Sequence, residues 1–414
     1  MKLFFSVGEP SGDLHGANLI RQLRALAPEC QCVGYGGPRM QAAGCTLHYD
    51  LTQLAVMWLL RVVLNLHRFV ALLIQADRYF RDQRPDAVIL IDYPGFNWWI
   101  ARRAKARGIP VFYYGTPQLW AWAAWRVKKM RRYVDHVLCK LPFEVSWYQQ
   151  RGCNATFVGH PYFDQMAAQE YDAEFLAESL RDGRRVLTLL PGSRTQEVKL
   201  NLPSLLRAAK EVLKELPEVR VVIASFNAAQ AEMAHAQVAA VGLPVEVHVG
   251  RTPELIRVAE CCMACSGSVS LELLYHEKPT VVVYWVSRTA MRIQRFFRKS
   301  RYITLVNLLA TSQFETRDGE TYDPDRPGAE PVPFPEYLTS EDKSANMARW
   351  VSEWLRNETS RQARVTQLRE LKARFAQPGA SSRAANYIMA ALRPGRGQER
   401  EQGLGQGTGQ RSCA

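Results

Sequence analysis

A carboxylate follows one of the most apolar runs in the chain. Asp92 comes directly after residues 87–91, which read Ala-Val-Ile-Leu-Ile and have the length of a buried strand. At the carboxyl end of a buried parallel strand, a partly desolvated carboxylate can act as a general base. It could equally cap the helix predicted to begin near Asn97. The residue pattern alone leaves both roles open for Asp92.

A second loop carries groups that favour an anion. Gly192, Ser193 and Arg194 follow an apolar run at 186–190 and precede a helix that opens at Gln196. Backbone N–H groups at a helix N-terminus attract anions, and Arg194 adds a forked cation that suits a diphosphate. The alternative is an ordinary turn with a surface arginine.

A third loop has the donors and the carboxylate that a nucleotide needs. Ser266, Gly267 and Ser268 follow a strand-like run at 261–265, and Glu272 comes one helical turn later. Small residues let a phosphate approach the backbone closely, and a carboxylate can accept hydrogen bonds from both hydroxyls of a ribose. Together with the second loop, this arrangement favours a nucleotide-sugar site.

The first strand-like run ends in a loop of small and acidic residues. Residues 8–13 read Gly-Glu-Pro-Ser-Gly-Asp and precede a helical pattern at 14–26. The loop has neither the glycine spacing of a dinucleotide site nor the lysine of a P-loop. Its alternative interpretation is a plain strand-to-helix turn with Ser11 as the N-cap.

Strand-length apolar runs alternate with helical patterns along the chain, which predicts an α/β fold with two doubly wound parallel units. We expect the boundary between the units near Asp164, after a turn that contains proline. Residues 311–335, rich in Pro, Gly, Asp and Glu, are expected to form a surface insertion or a mobile loop, and residues 393–414 a disordered tail. The predicted strands are 2–7, 32–35, 87–91, 111–114 and 136–138 in the first unit and 186–190, 219–224, 245–249, 261–265 and 280–284 in the second.

The composition is that of a globular protein with a basic excess. Its 414 residues include 53 Lys and Arg against 40 Asp and Glu, and the formal net charge of +13 favours an anionic partner. The nine cysteines are an odd number and no signal peptide opens the sequence, so we expect reduced thiols and a cytoplasmic protein. Cys261, Cys262 and Cys265 lie in an apolar run without a second pair, which favours core residues over a metal site.

Residues 54–74 are nearly long and apolar enough to span a bilayer, but the internal Arg61 would be costly there. As an amphipathic helix, this stretch either packs in the core, which periodicity favours, or presents Trp58, Leu59 and Val63 to lipid.

Two basic stretches also suit an anionic surface. Arg288, Arg292 and Arg295 alternate with apolar residues in a region without acidic residues, which predicts contact with an anionic membrane. The basic region 102–132 contains three tryptophans and suits either a membrane interface or single-stranded RNA. We found no RNA-binding motif elsewhere in the sequence, so we expect no nucleic-acid partner.

Taken in chain order, these motifs resemble those of one family. The chain is similar to bacterial lipid-A-disaccharide synthases, which are inverting glycosyltransferases of the GT-B type, and the matches extend over about 300 residues. The matching positions are 8–13, 36–40, 43–44, 91–92, 94, 96–97, 120–122, 141–144, 158–161, 189–194, 266–267, 271–272 and 307–309.

The resemblance implies two Rossmann-like domains that face a central cleft. Residues 1–164 would form an acceptor-binding and membrane-facing domain, and residues 165–375 a UDP-sugar-binding domain. A helix within 376–392 would return to the first domain. Some members of the family are dimers, so a homodimer is one assembly that the resemblance allows.

The resemblance also implies a reaction and its site residues. The family condenses UDP-2,3-diacylglucosamine with 2,3-diacylglucosamine 1-phosphate, giving a β-1,6-linked disaccharide 1-phosphate and UDP, on the inner face of the cytoplasmic membrane. It uses no metal or other cofactor, since the UDP-sugar is a substrate. By resemblance, Asp92 is the base for the acceptor 6-hydroxyl and Glu272 holds the ribose. The other implied residues are Ser193, Arg194, Ser266, Gly267 and Ser268 for the UDP-sugar, and Glu9, Ser11, Asp13 and Asn307 along the cleft.

The chain departs from the family pattern at a few positions. Gly95 stands where the family often has an acidic residue, and Val306 where it commonly has proline. Trp98 and Trp99 are unusual for the family. The rival interpretations are another GT-B enzyme that acts on UDP-N-acetylglucosamine, which the N-terminal motifs disfavour, and a binding module on an inactive scaffold, which the presence of Asp92, Arg194 and Glu272 disfavours.

Overall fold

The computed structural model describes residues 1–55, 65–311, 313–316 and 318–393, which form two parallel β-sheets covered by helices. The first sheet has seven strands in the order β3-β2-β1-β4-β5-β6-β7. Its central strands are mostly apolar because helices cover both faces, as in other doubly wound sheets. Its strands are β1 (Lys2–Val7), β2 (Gln31–Gly36), β3 (Thr46–Asp50), β4 (Ala87–Ile91), β5 (Val111–Tyr114), β6 (His136–Cys139) and β7 (Ala155–Phe157).

Helices connect these strands in the usual alternation. The first, α1, begins with proline, which suits the first turn because its missing N–H has no helical partner there. The described helices of this half are α1 (Pro10–Leu26), α2 (Pro38–Ala42), α3 (Thr52–Ala55), α4 (Leu66–Gln83), α5 (Pro94–Ala106), α6 (Leu119–Trp122), α7 (Val127–Tyr133), α8 (Pro142–Gln149) and α9 (Tyr162–Ala167).

The second sheet has six parallel strands in the order β10-β9-β8-β11-β12-β13. They are β8 (Val186–Leu190), β9 (Arg220–Ser225), β10 (Val245–Val249), β11 (Cys261–Cys265), β12 (Thr280–Trp285) and β13 (Glu336–Thr339). The accompanying helices are α10 (Ala173–Leu180), α11 (Thr195–Glu215), α12 (Ala228–Val241), α13 (Thr252–Val258), α14 (Val269–Tyr275), α15 (Arg288–Phe297), α16 (Leu305–Ala310), α17 (Ser344–Arg356), α18 (Glu358–Phe375) and α19 (Ala380–Leu392).

Each sheet has a point where the strand order reverses. The reversal lies between β1 and β4 in the first sheet and between β8 and β11 in the second. Ligands of open α/β sheets bind at the carboxyl ends of the strands at such points. The three loops singled out in the sequence, together with the loop after β1, are the four loops that leave these strands.

The last helix, α19, packs against α1. Ala384, Ala385 and Ile388 lie in the same buried cluster as β1 and α1. The helix is also fixed at its start, where Asp164 in α9 accepts hydrogen bonds from three consecutive backbone N–H groups, the last being that of Ser381. The domain boundary at 164/165 stays a prediction.

The α/β prediction is confirmed, and every predicted strand has a counterpart in the sheets. Three edge strands were missed, β3, β7 and β13. They are short, and β3 is only partly buried, so none has the continuous apolar run on which the prediction relied. Helix α1 begins earlier than expected, at Pro10, so Ser11 lies in its first turn and is not its N-cap.

The segment expected as a surface insertion or a mobile loop has both exposed and buried residues in its described part. Within residues 313–316 and 318–335, Phe334 is fully buried, and Phe314 and Tyr322 are almost so. Phe314 contacts the rings of Trp120 and Phe143 in the first domain, so aromatic burial outweighs the Pro- and Gly-rich composition. The predicted lipid-facing Trp58, Leu59 and Val63 lie outside the described residues, as do residues 394–414 of the tail.

Candidate active site

Asp92 is held in an unusual backbone conformation directly after β4. Its φ is +45° and that of Tyr93 is +43°, in the left-handed region that costs a residue with a Cβ about 1 kcal/mol or more. The carbonyl of Asp92 accepts hydrogen bonds from the Tyr113 hydroxyl at 2.6 Å and from Asn97 Nδ2 at 2.8 Å. These bonds fix the conformation that turns the Asp92 side chain away from helix α5.

Asn97 is the centre of a buried network under this turn. Its Nδ2 also lies within hydrogen-bonding distance of the carbonyls of Ser6 and Ile91, and its Oδ1 accepts from the Ser6 hydroxyl at 2.7 Å. The network ties the end of β1 to the end of β4. Asn97 therefore positions Asp92, a role that the sequence analysis did not assign.

The Asp92 carboxylate pairs with a lysine and caps no helix. Lys140 Nζ lies 3.3 Å from Asp92 Oδ1, and both side chains are less than one-fifth exposed. The N-cap of α5 is Tyr93, which makes no side-chain capping bond. The alternative in which Asp92 merely caps this helix is therefore not observed.

Glu9 lies close to Asp92, at the start of α1. Partial burial raises the pKa of Glu9, the negative charge of Asp92 raises it further, and Lys140 and Arg194 oppose the shift. Arg194 follows β8 of the second sheet, so the Glu9 carboxyl group after β1 is under the influence of a cation from the other sheet. Ser11, two residues beyond Glu9, is exposed on the same turn.

His15 lies one turn beyond Ser11 in α1 and is buried. Burial lowers the pKa of His15 to about 4, so the imidazole is neutral at physiological pH. Its Nδ1 is buried and has no hydrogen-bond partner among the described residues.

The structure does not bring Asp13 to the cleft. Its carboxylate is buried and accepts hydrogen bonds from the backbone N–H groups of Gly37, Arg39 and Met40 at 2.9–3.0 Å. These groups open helix α2, so Asp13 satisfies donors that would otherwise lack a partner. Its carboxylate fixes α2 against α1. Of the acidic and hydroxyl residues in this motif, only Glu9 and Ser11 are therefore exposed at the end of β1.

Asn307 is likewise buried and lies away from the cleft surface. Its side chain donates to the Phe334 carbonyl at 2.7 Å and to Glu336 at 2.8 Å, and accepts from Phe334 N at 3.0 Å. Glu336 also accepts from Thr304 and from the backbone of Ile303. Burial raises the pKa of Glu336 to about 7. This network holds α16 against β13, so Asn307 supports the second domain from inside.

In the second domain, Ser193 and Arg194 are exposed at the start of α11. Both backbone N–H groups donate to Glu197 Oε2 at 3.2 Å, and Arg194 Nη1 contacts Glu197 Oε1 at 2.9 Å. Gly192 has a φ of +121°, and a Cβ there would lie 2.6 Å from Glu197 Cβ, so this turn requires glycine. The predicted anion donors thus surround a carboxylate of their own chain.

The loop after β11 completes this side of the cleft. Gly267 and Ser268 are exposed, and a Cβ on Gly267 would meet nothing within 4 Å, so the loop is open to a ligand. Ser266 is partly buried and its hydroxyl donates to the Ile303 carbonyl at 2.8 Å, so this side chain serves the loop itself.

Glu272 is a buried and incompletely satisfied carboxylate. Its Oε2 accepts from the Tyr162 hydroxyl at 3.1 Å, whereas Oε1 has no partner among the described residues. Burial raises the pKa of Glu272 to about 7. Tyr162 belongs to α9, so this contact joins the segment between the domains to the second sheet. The sequence analysis missed Tyr162 because only the fold brings it to Glu272.

The basic helix α15 is exposed along its length. Arg288, Arg292 and Arg295 are exposed, and so are Phe296 and Phe297 at 81% and 63%. Large apolar side chains with this exposure on a basic helix are typical of an interfacial segment.

The first domain adds aromatic residues near the end of α15. Lys299 N donates to the Ala121 carbonyl at 2.8 Å, which places the end of the helix beside Trp122. Trp122 and Trp125 are exposed, and the Arg126 guanidinium lies about 5 Å from each ring. Aromatic and basic groups of both domains therefore lie at neighbouring positions on the surface.

Two further features bear on ligands. A cavity of about 960 Å³ lies between α8 and residues 313–329, and its walls contain none of the predicted site residues. No three His, Cys, Asp or Glu side chains of the described residues are grouped so that they could hold a metal ion.

No helix among the described residues is long and apolar enough to cross a membrane.

Comparison with known proteins identifies the family. The family model described as lipid-A-disaccharide synthetase matches residues 3–364. The chain belongs to this family. A lipid-A-disaccharide synthase of Myxococcus xanthus is 32% identical over 397 residues, covering 95% of this chain and 98% of its own. One from Trichlorobacter lovleyi is 35% identical over 310 residues, covering 75% and 81%. The chain is thus a glycosyltransferase of lipid A biosynthesis, a hexosyltransferase, as its motifs indicated.

Solved structures of GT-B enzymes share the fold. The UDP-GlcNAc 2-epimerase of Neisseria meningitidis bound to UDP-GlcNAc has a TM-score of 0.59 at 11% identity, covering 95% of this chain and 99% of its own. The calicheamicin glycosyltransferase CalG4 has a TM-score of 0.56 at 15% identity, covering 94% and 98%. The predicted GT-B fold is confirmed.

Proposed function

We propose that the chain transfers the diacylglucosamine of UDP-2,3-diacylglucosamine to 2,3-diacylglucosamine 1-phosphate, giving the β-1,6 disaccharide 1-phosphate and UDP. The observation that carries this proposal is Asp92 at the reversal point of one sheet, in a left-handed conformation that hydrogen bonds to its carbonyl hold. Family membership supports the two lipid-linked glucosamine substrates.

In this mechanism, the acceptor 6-hydroxyl attacks C1 of the donor sugar while Asp92 takes the hydroxyl proton. The bond between C1 and the diphosphate oxygen breaks, UDP leaves with the electron pair, and the single displacement inverts C1. Asp92 is thus the catalytic residue. Lys140 Nζ lies 3.3 Å from one of its carboxylate oxygens.

The donor would bind to the second domain. The backbone N–H groups of Ser193 and Arg194 and the Arg194 guanidinium would contact the diphosphate and offset the charge that grows on the leaving group. The Glu197 carboxylate occupies these donors in the free protein and would yield to the stronger anion. Glu272 Oε1, buried and without a partner among the described residues, would accept from the ribose hydroxyls.

We further propose that the protein lies on an anionic membrane, on its cytoplasmic face, through α15 and the neighbouring tryptophans. Both lipid substrates would then reach the cleft from the bilayer. The exposure of Phe296 and Phe297 among arginines supports this orientation. Metal independence and a homodimer remain proposals. Turnover that persists in EDTA and sedimentation at the dimer mass would support them.

The test is acceptor-dependent UDP release. Purified protein would receive the diacylated UDP-sugar with and without the acceptor, beside Asp92→Asn and a surface control, Asp82→Asn. Asparagine suits the test because it keeps the size of aspartate and tolerates a positive φ. We expect release that needs the acceptor and falls at least 1,000-fold in Asp92→Asn, about 4 kcal/mol of activation free energy.

Other results would count against the proposal. Normal turnover by Asp92→Asn would remove Asp92 as the base. Release with UDP-N-acetylglucosamine but not with the diacylated donor would overturn the substrate assignment and leave the fold and the nucleotide site intact.

A further inference from the structure

We propose that Lys140 is a positioning residue for the transfer: it keeps Asp92 ionised next to Glu9 and holds one carboxylate oxygen, so that the other faces the acceptor hydroxyl. This inference rests on the proposed function, because it assigns the role of Lys140 through the base Asp92.

The backbone places Lys140 firmly. It is the first residue after β6, and its N–H donates to Glu144 Oε2 at 3.1 Å. Glu144 is fully buried and also accepts from Leu141 N, the Thr116 hydroxyl and Trp120 Nε1. The Lys140 side chain therefore starts from a fixed point after β6 and reaches Asp92, which follows β4, across the end of the intervening strand β5.

The contact is specific to one oxygen. Lys140 Nζ lies 3.3 Å from Asp92 Oδ1, and a Cβ on Gly115 would lie 3.4 Å from the same oxygen. The other oxygen, Oδ2, is on the side of Gly12, where a Cβ would lie 3.5 Å away. Oδ1 is thus held by the lysine, which leaves Oδ2 for the proton of the acceptor.

Several titratable groups surround Asp92, and Lys140 is the cation among them. Among the described titratable groups, Glu9, His15, Tyr113, Tyr114 and Lys140 interact electrostatically with Asp92. Burial lowers the pKa of His15 to about 4 and raises the pKa of both tyrosines, so these three are neutral at pH 7. Lys140 is the cation of this set, and Glu9 is the other carboxyl group.

Without the lysine, the negative charges of Glu9 and Asp92 would repel each other with no cation of the same sheet beside them. One of a pair of adjacent carboxylates takes up a proton at higher pH. Burial lowers the pKa of Lys140, but Asp92, Glu144 and Glu9 outweigh burial, and the net shift is upward, so the lysine stays charged.

The other neighbours of Lys140 do not replace it. Burial lowers the pKa of His160 well below its usual value, so this ring is neutral. Burial raises the pKa of Glu144, which Lys140 partly offsets. The Arg194 charge acts on Glu9 from the other domain.

The chemistry leaves the lysine unchanged. The proton of the 6-hydroxyl passes to Asp92, and Lys140 keeps its own proton before and after the transfer. Lys140 touches neither C1 nor the hydroxyl in this scheme. It therefore affects the reaction by lowering the proton affinity of the base and by fixing its orientation.

The test compares the pH dependence of kcat/KM in Lys140→Met, Lys140→Arg and the wild type. Lys105→Met is the matched control, because Lys105 forms an ion pair with Asp135 at 2.6 Å in the same domain but away from the site. We expect the acid limb of Lys140→Met to move to higher pH by about one unit, the low end for loss of an opposite charge at this distance. The KM for the UDP-sugar should stay within about twofold, and Lys140→Arg should restore the wild-type limb.

A readout without turnover separates this inference from the proposed function. The pH titration of the Asp92 side chain can be followed by ¹³C NMR with labelled aspartate, with Asp92→Asn giving the assignment. We expect its midpoint in Lys140→Met to lie about one unit above that in the wild type, and Lys105→Met to match the wild type. Circular dichroism checks that each variant is folded, with Lys140→Gln as a substitute if Lys140→Met is not.

Two results would overturn the inference. One is an acid limb in the folded lysine variant that superimposes on that of the wild type. The other is an unchanged Asp92 titration midpoint. A wild type that releases no UDP under any condition would reject the proposed function, and the titration would still decide the role of Lys140.

Discussion

Replacing Glu272 with glutamine should stabilise the protein and weaken UDP binding at the same time. Burial raises the pKa of Glu272 to about 7, above the ordinary value of 4.5, so the folded chain binds this proton more tightly than the unfolded chain. The stabilisation that comes with the proton is complete below about pH 4.5 and is lost as the pH rises through 7. The difference between the two values corresponds to about 3 kcal/mol.

Glutamine is neutral at every pH and has nearly the same shape. Glu272→Gln should therefore match the wild type at pH 4.5 and be more stable at pH 8 by up to about 3 kcal/mol, a rise in Tm of about 5–10 °C for a domain of this size. The Tyr162 hydroxyl keeps an oxygen to which it can donate. Calorimetric scans of both proteins from pH 4.5 to 8.5 measure the effect.

Binding should change in the opposite direction. If Glu272 accepts from the ribose hydroxyls, the neutral amide loses charge-assisted hydrogen bonds of about 1.5–3 kcal/mol, which weakens UDP about 10- to 100-fold. The affinity of the wild type should also fall more steeply below pH 7 than that of Glu272→Gln, in which only the terminal phosphate of UDP, with a pKa of about 6, takes up a proton. Isothermal titration with UDP at pH 6 and 8 gives both quantities.

Glu336 provides the matched control. Burial raises its pKa to the same value, about 7, but four donors surround it: Thr304 N and Oγ1, Ile303 N and Asn307 Nδ2. Glu336→Gln turns an amide group toward these donors, so it should lower the Tm at pH 4.5, where Glu272→Gln matches the wild type, and leave the UDP affinity unchanged. Destabilisation of Glu272→Gln at pH 8, or wild-type affinity for UDP in that variant, would refute the reasoning.

Three further changes test other parts of the structure. Asp13→Asn should cost about 2 kcal/mol of folding free energy in chemical denaturation, because one amide cannot accept from three N–H groups, yet UDP release should stay within a few-fold of the wild type. Phe314→Ala should cost about 3 kcal/mol and expose residues 313–330 to limited proteolysis; unchanged cleavage would show that its ring contacts do not hold the segment. Arg288→Glu with Arg292→Glu should reduce sedimentation with anionic vesicles but not with neutral ones, and equal sedimentation with both would reject α15 as the membrane contact.

The sequence was sufficient for the fold because both sheets have buried central strands. Runs such as residues 87–91 are apolar at every position, which distinguishes them from helices by length and from loops by composition. The edge strand β7 has three residues and little burial, so its pairing with β6 depends on tertiary context. The burial of Phe314 was missed for the same reason: the aromatic partners that bury it lie far away in the sequence, at Trp120 and Phe143.

The site was predictable to the level of loops. Strand ends at reversal points can be inferred from the order of motifs, so the sequence places Asp92 and Arg194 in loops at those ends and Glu272 in the first turn of the helix that follows such a loop. Their roles stay predictions. Lys140 and Tyr162 were missed because each lies far along the chain from the carboxylate that it contacts, 48 and 110 residues away. No spacing pattern links such pairs before the chain is folded.

Within a motif, hydrogen-bond saturation separates supporting residues from those that can act on a ligand. Asp13 belongs to the same motif as Glu9, and Asn307 opens the motif 307–309, yet the oxygens of Asp13 and the amide of Asn307 already have backbone or buried partners. Glu272 has an oxygen with no partner in the described chain, and Asp92 has only Lys140 at one of its two oxygens. A buried carboxylate with a free acceptor is costly to the free protein. A substrate hydroxyl that donates to the carboxylate removes this cost. A Glu272→Gln variant that is more stable than the wild type but binds UDP more weakly would therefore identify Glu272 as a ligand-binding carboxylate.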